Sequence, residues 1–226
     1  MNELALFAGA GGGILGGKLL GWRTVCAVEW DHCAASVLAA RQNDGILPPF
    51  PIWDDVRTFD GRPWRGIVDV ISGGFPCQAY STAAAGQNTA DDLWPEMRRI
   101  VADVAPRYIF AENVSRVAID QAGNDCESMG YKTKAISFSA KDMGADHIRE
   151  RFWLLAYSDN DGKLSCEINA KTRCMQSVEN SIWEDYSEPL RVAHGVAARM
   201  DRLRAIGNGQ VPAVAATAWQ ILTGDL

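Results

Sequence analysis

The stretch Glu3-Leu4-Ala5-Leu6-Phe7-Ala8-Gly9-Ala10-Gly11-Gly12-Gly13-Ile14-Leu15 decides how the chain folds. Glu3 to Phe7 reads as a strand, and Ala8 to Gly13 as a tight glycine turn. Ile14, Leu15, Leu19 and Leu20 then recur at helical spacing. A strand, a glycine turn and a helix make the nucleotide-binding start of a doubly wound α/β sheet. Gly11, Gly13 and Gly16 satisfy G-x-G-x-x-G, so a dinucleotide is one reading and a turn with packing duties alone is another. Val25 to Glu29 reads as the second strand. Glu29 stands at its carboxyl end, where an acidic residue accepts hydrogen bonds from ribose hydroxyls. Trp30 beside it offers a flat face to an adenine.

Working outward, the alternation continues. His32 to Gln42 reads as a helix, Asn43 to Pro51 as a Gly/Pro loop, and Asp54-Asp55-Val56 as a strand end carrying a carboxylate. Val68 to Ser72 is a short apolar strand that runs into Gly73-Gly74-Phe75-Pro76-Cys77-Gln78-Ala79-Tyr80-Ser81. Open α/β sheets place their working groups at such strand ends. Pro76 restricts the backbone before Cys77, so Cys77 is the candidate nucleophile. Thr82 to Thr89 is small and polar, and reads as a mobile loop that closes over a substrate. Leu93 to Val104 has apolar residues at 93, 97, 100, 101 and 104, a helix ended by Pro106. Tyr108 to Ala111 is a strand ending in Glu112-Asn113-Val114, a second carboxylate at a strand end. A helix finishing over Cys126 to Gly130, a strand over Tyr131 to Ser139, a charged loop over Asp142 to Glu150 and a strand over Arg151 to Tyr157 follow. The whole predicts an α/β fold with a mostly parallel, doubly wound sheet. Residues 1–157 form the expected core, 158–190 a short irregular insert, and 191–226 two helices returning to the core.

Composition narrows the function. The chain has 226 residues, 47% of them hydrophobic, with a formal net charge of -6. That charge argues against non-specific nucleic-acid binding over the whole surface, while leaving room for a local basic face. No run of about 18 apolar residues suggests a membrane span. No basic segment with a cleavage site precedes the first strand, so no secretory signal is expected. The six cysteines form no C-x-x-C pair, which suits reduced thiols and a cytoplasmic protein. Cys26, Cys33 and Cys126 are expected to pack in the interior. Cys166 and Cys174 lack the partners a metal site needs, so no metal is expected.

The ordered set of blocks resembles the cytosine-5 DNA methyltransferases, in a flavour close to phage and prophage methylases. Phe7, Gly9 and Gly11 resemble the family's Phe-x-Gly-x-Gly loop, and Glu29-Trp30 its ribose and adenine pair. Asp55-Val56 is similar to the block whose Asp meets the adenine amino group. Gly74-Phe75-Pro76-Cys77-Gln78 resembles the nucleophile loop, and Leu93-Trp94 the cofactor-contacting block after it. Glu112-Asn113-Val114 resembles the Glu-Asn-Val block. His147-Ile148-Arg149-Glu150-Arg151 resembles Gln-x-Arg-x-Arg, with His147 in place of the usual Gln. Gly207-Asn208-Gly209-Gln210-Val211-Pro212 resembles the last block, where Asn208 returns to the cofactor.

The resemblance implies a Rossmann-like S-adenosylmethionine-dependent methyltransferase fold. It makes S-adenosylmethionine the cofactor in place of a nicotinamide, and double-stranded DNA the substrate, in a bacterial or phage-infected cell. Family members usually carry about 100 residues or more of target-recognition domain where this chain has only 158–190. A short reading loop, low specificity or a partner protein would then choose the target. The implied protein is a monomer. Cytosine-5 methylation of RNA, and a non-enzymatic binding relative, remain open beside the DNA reading.

The chemistry assigns roles. Carbon 5 of cytosine is a poor nucleophile until a thiolate adds at carbon 6. Cys77 is the candidate for that addition. Glu112, protonated in an enclosed site, is expected to supply the proton at ring nitrogen 3. Arg151 is expected to donate to the ring carbonyl, and Arg149 to orient the site or hold a phosphate. The target base must leave the duplex first.

Overall fold

The computed structural model describes residues 1–76, 92–146, 149–158 and 209–224. Seven strands form one sheet in the order β3-β2-β1-β4-β5-β7-β6. The strands are β1 (Asn2–Leu6), β2 (Arg23–Val28), β3 (Ile52–Trp53), β4 (Val70–Gly74), β5 (Tyr108–Asn113), β6 (Lys132–Ser139) and β7 (Glu150–Tyr157). Pairing is parallel from β3 across to β5 and antiparallel around β7. The expected mostly parallel sheet is therefore present.

The order of the strands places the site. The chain runs outward through β1, β2 and β3, then returns to lay β4 on the other side of β1. Strand order reverses between β1 and β4, and in such sheets a crevice opens beyond the carboxyl ends of those two strands. The glycine turn leaves β1 at that crevice, and Phe75-Pro76 leaves β4 beside it.

Among the described residues five helices cover the sheet: α1 (Gly12–Leu19), α2 (His32–Asn43), α3 (Trp94–Val104), α4 (Arg116–Ser128) and α5 (Pro212–Thr223). Local chemistry explains their starts. The Asp31 side chain accepts from the N–H groups of Cys33 and Ala34 at the head of α2, and Ser115 accepts from Ala118 N–H at the head of α4. Pro95 opens α3, where a missing N–H costs nothing. On α3, Trp94, Met97, Ile100, Val101 and Val104 are all buried, the face the spacing predicts.

Several expectations need correction. Of the four apolar residues expected to pack at α1, Ile14, Leu15 and Leu20 do and Leu19 does not. The helix buries Ile14, Gly16 and Gly17, whereas Leu19 is exposed. A side chain on Gly16 would meet the Pro212 carbonyl and the Ala215 methyl of α5 at 2.9 and 3.0 Å, so the absence of a side chain lets the two helices close. Cys33 is exposed, not packed. The buried residues of α2 are Ala34 and Leu38, one turn apart, and Cys33 falls off that stripe. Cys26 and Cys126 are buried as expected.

Two strands run further than their sequence signals. β4 continues through Gly73 and Gly74, and β5 through Glu112 and Asn113, because the ladder pairs Gly74 with Glu112 and Glu112 with Trp153. Lys141–Met143 forms a 3₁₀ turn inside the expected charged loop, with Asp142 accepting from Ser139. The expected insert at 158–190 and the expected helix over Val192 to Leu203 lie outside the described residues, Ser158 apart. The expected closing loop over Thr82 to Thr89 does too. Among the described residues no helix is long and apolar enough to cross a membrane.

Candidate active site

The crevice begins with a strained turn. Phe7, directly after β1, has φ 53°, a left-handed backbone that a bulky residue adopts only under constraint. Gly9 and Gly11 follow at φ 54° and 92°. Glu29 organises this turn from the end of β2. One carboxylate oxygen accepts from Gly9 N–H at 2.6 Å and the other from Asp31 N–H at 2.7 Å. Burial pushes Glu29 upward in pKa, and these backbone bonds oppose the shift. Glu29 thus holds the glycine turn as well as facing the crevice.

Trp30 is 65% exposed, a large apolar surface for a side chain at a crevice rim. The Arg57 guanidinium lies 5.0 Å from its ring centroid and pairs with Asp55 at 2.9 Å. Hydrogen bonds from Arg57 hold the Asp55 carboxyl below its ordinary range. The structure therefore brings Trp30 and Asp55 together through Arg57, a residue the sequence reading did not single out. A small open cleft lies between β1 and β4, with Phe7, Gly9, Gly13, Gly73, Gly74 and Gln210 in its wall.

The second cluster lies at the ends of β4, β5 and β7. Glu112 is 6% exposed. Arg151 Nε meets its Oε1 at 2.9 Å, and the Gln210 amide donates to its Oε2 at 3.3 Å. Burial pushes Glu112 upward in pKa; Arg151, Gln210 and Arg149 pull it down. Arg149 Nη2 donates to the Gly209 carbonyl. Burial and the neighbouring Arg151 push Arg149 below its ordinary range. A side chain on Gly74 would stand 2.6 Å from Glu112 Oε2, so this glycine makes room for the carboxylate. The structure thus joins Glu112, Arg151 and Arg149, as the sequence led one to expect, though Arg151 binds Glu112 itself.

Cys77, Asn208 and His147 lie outside the described residues. The two residues before Cys77 are nevertheless well anchored. Asn113 Nδ2 donates to the Phe75 carbonyl at 2.9 Å, while its Oδ1 accepts from Ser115 N–H at 2.9 Å. Leu93 N–H donates to the Pro76 carbonyl at 3.4 Å, and the Phe75 and Trp94 rings pack 5.1 Å apart. Asn113 and Gln210 are residues that the sequence reading passed over. Their signal was present, since each lies inside a quoted block, but its use depends on a partner far away in the chain.

A seven-stranded sheet with one antiparallel strand inserted beside its edge, a glycine turn after β1 and a buried carboxylate at the end of β5 define the Rossmann-like, S-adenosylmethionine-dependent methyltransferase class. The profile of the C-5 cytosine-specific DNA methylases matches residues 1–202, and the chain belongs to that family. It is 37% identical over 133 residues to the Type II methyltransferase M.Eco47II of Escherichia coli, covering 56% of this chain and 30% of the relative. Against M.NgoMIV of Neisseria gonorrhoeae it is 30% identical over 164 residues, covering 69% and 51%. A solved DNA modification methyltransferase encoded within an E. coli prophage superposes with a TM-score of 0.56 at 27% identity, covering 70% of this chain and 47% of that one. The chain spans between about a third and a half of the length of these relatives.

Proposed function

We propose that the chain transfers a methyl group from S-adenosylmethionine to carbon 5 of cytosine in DNA, through a covalent adduct with Cys77. The observation that carries this reading is the Glu112 site. A carboxyl group is buried beside Gly74 and gripped by Arg151, and Gly74 stands three residues before Cys77 in the chain.

The crevice suits the cofactor. The left-handed turn at Phe7 to Gly11 leaves the backbone open, and a side chain on Gly9 would meet nothing within 4 Å. Phe7, Gly9, Gly11, Glu29, Trp30, Asp55, Leu93 and Asn208 are the residues proposed to hold it. Bound there, S-adenosylmethionine supplies a methyl group on a positively charged sulfur. The chain's own residues do the rest. The Cys77 thiolate forms a bond to carbon 6 of the flipped cytosine, and the electron pair moves toward nitrogen 3. Glu112 gives its proton to that nitrogen, and carbon 5 becomes nucleophilic. Once carbon 5 carries the methyl group, its proton leaves, the thiolate departs and Glu112 recovers its proton.

Burial favours the protonated form of Glu112 and so suits it to donate. Arg151, held on Oε1, keeps the carboxyl oriented and favours its ionised form after the proton has gone. Arg149 is proposed to orient the site from the side of Gly209.

Labelled S-adenosylmethionine incubated with unmethylated genomic DNA tests the reading. The expected result is label in 5-methylcytosine, lost in Cys77→Ser, and a stable protein–DNA complex when the cytosine carries fluorine at carbon 5. Label on transfer RNA with none on DNA would move the substrate to RNA. No label on either would remove the enzymatic reading.

A further inference from the structure

Gln210 sits where no proton-transfer role has yet been given to it. Its amide Nε2 donates to Glu112 Oε2 at 3.3 Å. Its amide oxygen faces the glycine turn: a side chain on Gly13 would stand 2.4 Å from Oε1. Its own backbone carbonyl lies closer still to Gly12, where a side chain would stand 2.0 Å away. Nε2 would stand 3.1 Å from a side chain on Gly74. Gln210 therefore fills the space between the turn after β1, the end of β4 and the carboxyl on β5, and is 98 residues distant from Glu112 in the chain.

The chemistry of the pair is asymmetric. Glu112 has two partners among the described residues, one on each oxygen. Arg151 is a guanidinium, which donates and never accepts. A carboxyl that releases a proton and takes it back is an acceptor in one state and a donor in the other. Arg151 can donate to Oε1 in either state but cannot accept from the O–H of the protonated one. An amide carries a donor and an acceptor on one terminal carbon, and a half-turn about its last bond exchanges them. From this geometry we infer that Gln210 is a positioning residue that holds Glu112 in both protonation states, braced against the glycine turn. The inference builds on Glu112 as the proton donor proposed above. The charged groups facing Glu112 are Arg151 on β7 and Arg149 just before it, and both favour the ionised form. Gln210 is the neutral member of the set.

Two substitutions in the full chain test this. Gln210→Met keeps the length and removes the amide; Gln210→Glu keeps the shape and replaces the fixed donor with an acid. The first readout needs no turnover: the titration of the Glu112 side-chain carbon by NMR in ¹³C-glutamate-labelled protein, assigned by its disappearance in Glu112→Gln. The amide's bond to the ionised form is the stronger of the two, so its loss should raise the Glu112 midpoint in Gln210→Met by about one pH unit. Gln210→Glu should raise it further, because a second carboxylate opposes ionisation. The second readout is the pH profile of methyl transfer to unmethylated genomic DNA. In Gln210→Met kcat should fall about tenfold, as a misplaced Glu112 requires. In Gln210→Glu activity should recover toward acidic pH, where the new carboxyl is protonated and donates as the amide did. A Glu112 midpoint that does not move in either variant overturns the inference, as does a moved midpoint with a wild-type profile. If the parent protein transfers no methyl group, the proposed function fails, and the Glu112 titration alone decides the role of Gln210.

Discussion

Each end of the sheet buries a carboxyl group, and the two are held in different company. Glu3, on β1 toward its amino end, is fully buried. Ser72 and Thr24 hydroxyls donate to its two oxygens at 2.6 and 2.7 Å, from the strands on either side. Glu112, at the carboxyl end of β5, is nearly as buried. It faces a guanidinium and an amide instead. Burial raises both carboxyls, Glu3 to about 7. A raised carboxyl is therefore not in itself a mark of function. What separates the two is the partner chemistry and the place. Glu3 is closed in by neutral hydroxyls, with Gly17 beside its carboxyl group. Glu112 stands at the crevice, beside the segment that leads to Cys77.

The largest effect that would break this contrast is at Glu112 itself. Glu112→Gln should lower methyl transfer by about 10²- to 10⁴-fold, the usual worth of a general acid, with S-adenosylmethionine binding retained in calorimetry. Wild-type transfer by this variant would reduce Glu112 to the status of Glu3. Gly74→Ala comes next. The added methyl would press on Glu112 Oε2 at 2.6 Å. Transfer should fall by about 10²-fold, the scale of a small misplacement of a reacting group. Single-turnover kinetics would show the loss in the chemical step.

Glu3 should respond in stability and not in rate. Its folded pKa, raised to about 7, lies above the value near 4.5 expected for an exposed glutamate. The folded chain keeps a proton that the unfolded chain has already released. Its contribution to stability is complete below about pH 4.5 and is lost as pH rises through about 7, on the order of 3 kcal/mol in all. Urea unfolding of the parent and of Glu3→Gln between pH 5 and 8 should show that slope flattened in the variant, with methyl transfer unchanged. An unchanged slope would mean that Glu3 is ionised in the fold.

The smallest expected effect concerns the crevice rim. Trp30→Ala removes an exposed ring and should leave folding intact while weakening S-adenosylmethionine binding about tenfold. Equal binding would take Trp30 out of the cofactor site and leave the Arg57 contact as its role.

Much of the fold was legible from local signals. The glycine turn, Pro106 and the apolar spacing of α3 are short-range features, and they mark elements within a few residues. The strand ends were less legible. Gly73, Gly74, Glu112 and Asn113 have poor strand propensity alone, and only pairing across β4, β5 and β7 carries them into the ladder. At α1 the spacing placed Ile14, Leu15 and Leu20 correctly but not Leu19, which is exposed, and it gave no sign that α5 packs against Gly16.

The same division holds at the site. Residue types and their order along the chain determined the candidate chemistry: a cysteine after a proline, carboxylates at strand ends, paired arginines and a glycine turn. These follow from local backbone and side-chain chemistry, which sequence spacing records directly. Only the tertiary structure decided that Arg151 grips Glu112, that Asn113 holds the carbonyl of Phe75, and that Gln210 reaches Glu112 from 98 residues away. The turn of β7 into antiparallel pairing with β5 brings Arg151 to that carboxyl, and the packing of α5 on α1 brings Gln210 there. Such contacts depend on strand order, register and helix approach, which are properties of the assembled sheet and not of any single stretch of chain.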